Sequence, residues 1–160
     1  MKRRVYIETS VVSYLASRPS RDVVSAGRQQ LTHAWWEIRR PVFDLAISQV
    51  VLNEVRAGDP RAAERRLAFI AELPLLDITD EATELAATLI EQVPLPPQAS
   101  VDAAHIAVAA YHGVDFLLTW NVAHIANAAR RRRVEDVCRR QGYQVPILCT
   151  PDELMEDGDE

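Results

Sequence analysis

Four acidic or amide side chains lie where apolar runs of the sequence give way to a turn or a helix. They are Glu8, Glu54, Asp102 and Asn121. Carboxylates that converge repel one another unless a cation neutralises them, and hard oxygen ligands select Mg²⁺ or Mn²⁺ over zinc. A bound divalent cation activates water and holds a phosphate oxygen. These residue types therefore predict a cation site suited to phosphodiester hydrolysis, provided that the fold brings them together.

Short apolar runs alternate with amphipathic helices along the chain. Alternation of this kind predicts a three-layer α/β/α sandwich with a mostly parallel central sheet. Helix caps, steps of three and four between apolar residues, and breaks at glycine or proline delimit the helices. The predicted strands are Val5 to Ile7, Phe43 to Ile47, Leu75 to Ile78, Val114 to Leu118 and Val145 to Cys149.

The predicted fold brings the four side chains to one edge of the sheet. In an open parallel sheet, ligands bind beyond the carboxyl ends of the strands. Glu8 and Asn121 each follow a predicted strand, Asp102 lies in the first turn of the helix before the Asn121 strand, and Glu54 lies in the helix after the second strand. Asp115 stands at the start of its strand, far from that edge, and is interpreted as structural.

Length and composition predict a single cytoplasmic domain. The chain has 160 residues, and no apolar stretch approaches the roughly 20 residues that cross a bilayer. Cys138 and Cys149 have no CxxC spacing and are interpreted as buried thiols. We assign residues 1–151 to the domain and residues 152–160 to an acidic C-terminal tail.

Charge is unevenly distributed. Six of the last nine residues are acidic, and removing those six charges from the net charge of −5 leaves +1. Arg130, Arg131, Arg132 and Arg133 form a basic block. Such a block is typical of a solvated helix face, but clustered arginine is also an electrostatic footprint for nucleic acid. We therefore treat the four arginines as candidate nucleic-acid contacts.

Four segments, taken in order, resemble the PIN domain, the metal-dependent ribonuclease fold that includes VapC-type toxins. Tyr6 to Ser10 is similar to the first strand and its D-T-S signature, and Ser48 to Val55 to the segment with the second acid. Asp102 to Ala107 is similar to the helix of the third acid, and Gly113 to Asn121 to the strand that ends in T-x-D or T-x-N. The resemblance covers nearly the whole chain.

The resemblance implies an endoribonuclease that hydrolyses RNA phosphodiester bonds with Mg²⁺ or Mn²⁺. Glu8, Glu54 and Asp102 would bind the ion, Asn121 would complete the catalytic set, and Ser10 would assist near the metal and water. Glu8 stands where the family has aspartate, and Asn121 lacks a charge. Three acids give the four positions a charge of −3, so we expect one firmly bound ion.

The implied biological role is the toxin of a type II toxin-antitoxin pair, with a small antitoxin as partner, RNA as substrate and a homodimer as the assembly. A housekeeping RNA-processing nuclease remains open. A different class, motivated by Glu8 and Asn121, is a catalytically weakened PIN domain that binds RNA or protein. Lys2 is the only lysine, which disfavours a receiver domain, and the absence of GxGxxG disfavours a dinucleotide-binding domain.

Several other residues have competing interpretations. His105 follows the third acid by one helical turn and shares its face. It could orient a carboxylate or touch substrate, but we interpret it, like His124, as a histidine satisfied within the fold. Stacking of Trp120 on a base is a further hypothesis. Trp35 and Trp36 are predicted core residues.

Overall fold

Five parallel strands form the central sheet, in the order β3-β2-β1-β4-β5. The structure is a computed structural model that describes residues 1–94, 96, 99–121 and 127–156. The strands are β1 (Arg4–Ile7), β2 (Asp44–Ser48), β3 (Leu75–Leu76), β4 (Phe116–Leu118) and β5 (Ile147–Cys149). The α-helices of the described residues are α1 (Thr9–Ala16), α2 (Val23–Ala34), α3 (Gln49–Val55), α4 (Pro60–Ile70), α5 (Asp80–Gln92), α6 (Ser100–Tyr111) and α7 (Ala128–Arg140).

Helices flank this sheet, so the predicted α/β architecture is confirmed. Helix α1 contacts α2, α3 and α4, and α5 contacts both α6 and α7. Strand β1 is buried almost throughout, as expected for a central strand covered on both faces. None of the helices within the described ranges is long and apolar enough to cross a membrane.

The strands are in a register that aligns their carboxyl ends at one edge. Ile7 of β1 pairs with Leu118 of β4, and Leu118 pairs with Cys149 of β5. The backbone N–H of Glu8 continues this ladder by donating to the carbonyl of Leu118 at 3.1 Å. The residues that follow β1 and β4 are therefore neighbours at the edge where the chain leaves the sheet.

Most element boundaries agree with the sequence to within a turn. Thr79 caps α5, Asp59 caps α4 and Asp22 caps α2, each accepting from a backbone N–H in the first helical turn. Ser100 is the first residue of α6, and Ala99 is its N-cap. Helix α7 begins at Ala128 with Asn127 as its cap. Residues 122–126, with His124, lie outside the described residues.

The helix that begins at Val23 changes from α-helical to π-helical winding at the tryptophans. The α-helical part ends at Ala34, and Trp35–Arg39 forms a π-helical turn. Trp35 is fully buried and Trp36 nearly so, which confirms both as core residues. The Trp35 indole donates from Nε1 to the carbonyl of Leu154 at 3.2 Å, tying the helix to the C-terminal segment.

The C-terminal segment packs on the domain up to the last residues described. Leu154 is buried in the core although it lies beyond the predicted domain end at residue 151. Glu153 accepts from the Thr150 backbone N–H at 3.2 Å and hydroxyl at 3.0 Å. The division into a domain and an acidic tail stays a prediction, and residues 157–160 lie outside the described residues.

Candidate metal centre

Glu8 joins β1 to α1 and is held through one of its two carboxylate oxygens. Its Oε2 accepts from the Ser10 backbone N–H at 2.9 Å, from the Ser10 hydroxyl, and from Thr119 Oγ1 at 2.8 Å. The side chain thereby caps α1. Only 4% of the residue is exposed, so these donors take the place of water around a buried charge.

Glu54 approaches the same place from the penultimate position of α3. Its Oε1 accepts from Thr9 Oγ1 at 2.6 Å and lies 2.6 Å from His105 Nε2. Burial raises the pKa of Glu54, but the hydrogen bonds from His105 and Thr9 outweigh it and leave that pKa below its ordinary value of 4.5. Glu54 is therefore ionised at neutral pH.

A buried chain of hydrogen bonds continues behind Glu54. His105 is completely buried on α6, and its Nδ1 lies 2.6 Å from the hydroxyl of Tyr6. The same hydroxyl lies 2.7 Å from Ser48 Oγ. Burial, together with the negative charges of Glu8 and Glu54, raises the pKa of Tyr6 and keeps the phenol protonated. His105 is satisfied within the fold, as predicted, but its partner is a candidate ligand.

The ligand atoms of Glu8, Glu54 and His105 lie within 4.8 Å of one another. Among the described residues, no donor contacts the second oxygen of either glutamate, Glu8 Oε1 or Glu54 Oε2. Each carboxylate thus has one oxygen held by the protein and one available to a ligand. Two adjacent carboxylates with available oxygens fit a hard cation such as Mg²⁺ or Mn²⁺.

Asp102 and Asn121 pair with each other beside this group. Asp102 is buried in the first turn of α6 and is not a member of the group formed by Glu8, Glu54 and His105. Asn121 Nδ2 donates to Asp102 Oδ1 at 3.1 Å, and the Asn121 backbone N–H donates to Thr119 Oγ1 at 2.9 Å. Thr119 in turn donates to Glu8. Hydrogen bonds therefore connect Asp102 to Glu8 through Asn121 and Thr119.

Hydroxyl groups hold both glutamates, and of these only Ser10 was a candidate from the sequence. Thr119 and Ser10 orient Glu8, and Thr9 orients Glu54. Ser10, predicted as a helper near metal and water, also accepts from the Trp120 backbone N–H at 2.8 Å. The only available signal was position, since Thr9 and Ser10 follow one acid directly and Thr119 ends the strand beside it.

Other candidate residues lie away from the carboxylates or have structural contacts. Asp115 accepts from the Arg4 backbone N–H at 2.8 Å at the opposite edge of the sheet, in agreement with its interpretation as structural. Trp120 is buried, donates to Thr32 Oγ1 at 2.7 Å and contacts Tyr14 edge to face. A buried indole offers no exposed face to a base, so the stacking hypothesis for Trp120 is wrong.

The basic block begins α7 and is divided between structural and exposed side chains. Arg131 donates to the carbonyl of Leu148 at 3.3 Å and lies 4.0 Å from the Glu153 carboxylate. Arg130, like Arg131, is partly buried, whereas Arg132 and Arg133 are exposed. Nucleic-acid contact by the four arginines stays a prediction.

The protein is an α/β domain with a parallel five-stranded sheet. Its candidate cation site lies at the carboxyl edge of that sheet, where Glu8 and Glu54 meet. The model of the PIN domain family matches residues 5–130. The chain belongs to the PIN domain family, as its motifs suggested.

Comparison with solved structures supports the same fold. One similar chain is from the crystal structure of VapBC2 from Rickettsia felis bound to a DNA fragment from their promoter. It is 15% identical, with a TM-score of 0.58 over 92% of this chain and 98% of that chain. Another is from VapBC-5, of the VapBC family of toxin-antitoxin systems, from Mycobacterium tuberculosis; it is 21% identical over 78% of this chain and 92% of that chain, and its TM-score of 0.47 is too low to support an argument. Comparison with curated proteins gave no match.

Proposed function

We propose that this protein is a Mg²⁺- or Mn²⁺-dependent endoribonuclease that hydrolyses RNA phosphodiester bonds. One observation carries the proposal: Glu8 and Glu54 face each other at the carboxyl edge of a PIN domain, each with one oxygen held and one available. A divalent cation bound there would activate water and neutralise charge on the phosphate. Glu8 and Glu54 would hold the cation, with Asp102 as the third acid.

The hydrogen bonds of the site support distinct roles for these residues. Glu8 and Glu54 are fixed by hydroxyl donors, so their available oxygens are preorganised. Asn121 donates to Asp102 and keeps that carboxylate oriented without adding a charge. We therefore expect one firmly bound ion in the absence of RNA. Two tight Mn²⁺ sites in titration calorimetry would contradict that stoichiometry.

RNA cleavage by the purified full chain tests the proposal. Wild-type protein with Mn²⁺ or Mg²⁺ should cut members of a broad RNA panel, and a chelator should stop it. Asp102→Asn and Glu8→Gln should reduce cleavage by at least about 100-fold, because each removes a charge that holds the cation while keeping the side chain's shape. Far-ultraviolet circular dichroism should stay unchanged.

A matched acid at the other edge of the sheet provides the control. Asp115→Asn removes one carboxylate charge from a side chain that contacts the Arg4 backbone, and it should leave cleavage within about twofold of wild type. Undiminished cleavage by Asp102→Asn would exclude Asp102 from the catalytic set. Binding of RNA by wild-type protein without any cleavage would favour the alternative of a weakened PIN domain that acts as a binding module.

The biological role that we propose is the toxin of a type II toxin-antitoxin pair. Its support is the PIN family, together with the structural similarity to VapBC2. The partner would be a small antitoxin protein, and the chain would act as a homodimer in the cytoplasm. A small protein encoded next to this chain should bind it and suppress its RNA cleavage. Unchanged cleavage with that protein in excess would favour a housekeeping nuclease.

A further inference from the structure

We infer that His105 is a positioning residue for Glu54 and not a ligand of the cation. Its Nε2–H holds Oε1 of Glu54 and leaves Oε2 for the cation, and Tyr6 selects the tautomer that carries this proton. The inference deepens the proposed function and rests on it wherever a cation is involved. Distance alone would count His105 as a third ligand, because its nitrogen lies within 4.8 Å of the ligand atoms of both glutamates.

The hydrogen bonds assign the proton on His105 Nε2. A neutral imidazole has one nitrogen that donates and one that accepts, whereas an ionised carboxylate only accepts. Nε2 lies 2.6 Å from Glu54 Oε1, so this nitrogen must donate. The same oxygen also accepts from Thr9 Oγ1 at 2.6 Å, which fits a carboxylate that only accepts. A nitrogen whose proton points at Glu54 has no lone pair to offer a metal.

Tyr6 and Ser48 complete the pattern on the other side of the ring. With the proton on Nε2, His105 Nδ1 accepts from the Tyr6 hydroxyl at 2.6 Å, and the Tyr6 oxygen accepts from Ser48 Oγ at 2.7 Å. Each of the three donors then has one acceptor. The opposite tautomer would place the Nε2 lone pair against a carboxylate oxygen. The imidazolium form also keeps the Nε2 proton, so the contact to Glu54 is the same in both charge states.

Because Tyr6, Ser48 and His105 are buried, their row of hydrogen bonds is suited to orienting a carboxylate. Tyr6, Ser48 and His105 are all completely buried, and they come from β1, the end of β2 and α6. Glu54, by contrast, is 35% exposed at its side chain. Three elements of the core thus orient Glu54, which is the more exposed of the two glutamates. Loss of such an orienting partner typically lowers metal affinity by about 10- to 100-fold.

Nitrogen NMR of the metal-free full chain tests the tautomer directly. Long-range ¹⁵N spectra should show His105 with a protonated Nε2, the assignment being made by loss of its signals in His105→Gln. In Tyr6→Phe, which keeps the ring, we expect a mixture of tautomers because Nδ1 loses its donor. A wild-type His105 with a bare Nε2 would overturn the inference whether or not the protein is a nuclease.

Mn²⁺ binding tests the positioning role. Calorimetry should give affinity lowered about 10- to 100-fold in His105→Leu and largely restored in His105→Gln, whose amide supplies a donor. Tyr143→Phe, a half-buried tyrosine outside the chain of hydrogen bonds, should match wild type. Equal affinity in wild type and His105→Leu would overturn the inference, as would a ¹⁴N coupling to Mn²⁺ in pulsed EPR that disappears in His105→Gln. If the wild-type protein binds no Mn²⁺, the proposed function is wrong. The NMR spectra would still show whether His105 Nε2 carries the proton.

Discussion

At the scale of single residues, the two oxygens of each glutamate have different contacts: one accepts from protein donors and the other is available to a ligand. Glu8 and Glu54 each use one oxygen for two or more protein donors. Charge-assisted hydrogen bonds of this kind are stronger than neutral ones and fix the side chain. They also lessen the repulsion between neighbouring acids when no cation is bound. The orientation of each carboxylate, and so the position of its second oxygen, is therefore set before a ligand binds.

Asn121 provides a test of how much negative charge the site tolerates. Asn121→Asp replaces an amide that donates to Asp102 at 3.1 Å with a second carboxylate. The lost hydrogen bond and the new repulsion should lower the free energy of unfolding of the metal-free protein by about 1 to 3 kcal/mol. Mn²⁺ should bind more tightly, because the added charge favours the cation. Urea unfolding with and without Mn²⁺, together with calorimetry, measures both effects.

Asn53→Asp is the matched control for that substitution. Asn53 is exposed on α3 and accepts from Gln49 Nε2 at 3.0 Å, so its replacement should leave unfolding nearly unchanged. If Asn121→Asp lowers neither the stability of the metal-free protein nor the Mn²⁺ dissociation constant, Asn121 is not part of the charge balance of the site.

The sequence predicted the candidate acids and Ser10, but not the other groups that contact the two glutamates in the structure. Glu8 and Glu54 were candidates because Glu8 directly follows a strand and Glu54 lies in the helix after the second strand. His105 could be placed on the face of Asp102, but its bond to Glu54 joins residues 51 positions apart. From the sequence, Tyr6 is indistinguishable from any aromatic residue in the core. Contacts of this length depend on the packing of α3 against α6, which no local pattern encodes.

At the scale of elements, α1 begins inside the candidate site. Glu8 is its N-cap, and Thr9 and Ser10 form its first turn. A negative charge at a helix N-terminus is favoured by the unpaired N–H groups and by the helix dipole. The helix therefore stabilises Glu8, and the same hydroxyls that start the helix orient both glutamates. Glu8, Thr9 and Ser10 therefore both begin α1 and form part of the candidate site.

Ser10→Ala should affect both the helix and the site. Ser10 Oγ donates to Glu8 and accepts from the Trp120 backbone N–H at 2.8 Å, so its removal leaves a partly buried donor without an acceptor. We expect a loss of about 1 to 3 kcal/mol in unfolding free energy and several-fold weaker Mn²⁺ binding. Urea unfolding and calorimetry measure the two effects.

Ser13→Ala, one turn further along α1, is the control. No hydroxyl contact of Ser13 is present among the described residues, and alanine has the higher helix propensity, so stability should stay the same or rise slightly. Equal stabilities of the two variants would show that Ser10 does not link the helix to the site.

Local rules explain why most elements were predictable and one was not. Asp22, Asp59 and Thr79 cap helices through short side-chain contacts that a sequence reveals directly. The π-helical turn at Trp35–Arg39 has no such signature. It contains two adjacent indoles, Trp35 and Trp36, that both lie in the core.

At the scale of the whole molecule, strand order brings the site together. Strand β1 is central, with β2 on one side and β4 on the other, so the chain reverses its direction of winding beside β1. Ligands in open parallel sheets bind at such a reversal. Alternating strands and helices predicted a parallel sheet, but only the register of β1 against β4 makes Glu8 and Thr119 neighbours.

The C-terminal segment packs against the core at Leu154, which yields a last prediction. Leu154 is 7% exposed, and its carbonyl accepts from the indole of Trp35 at 3.2 Å. Leu154→Ala should lower the unfolding free energy by about 2 to 4 kcal/mol through loss of buried surface and the cavity it leaves. Leu75→Ala is the control, because Leu75 is 51% exposed on the edge strand β3 and its truncation leaves no comparable cavity.

Thiol labelling during mild denaturation provides a second measurement of the Leu154→Ala effect. Burial raises the pKa of Cys138 to about 11 and, with the nearby charge of Glu153, that of Cys149 to about 12. Both thiols should therefore resist alkylation in the native protein and react only when the core opens. Labelling should begin at lower urea in Leu154→Ala than in wild type or Leu75→Ala. Coincident curves for all three proteins would mean that residue 154 contributes nothing to the core and that the folded domain ends before it.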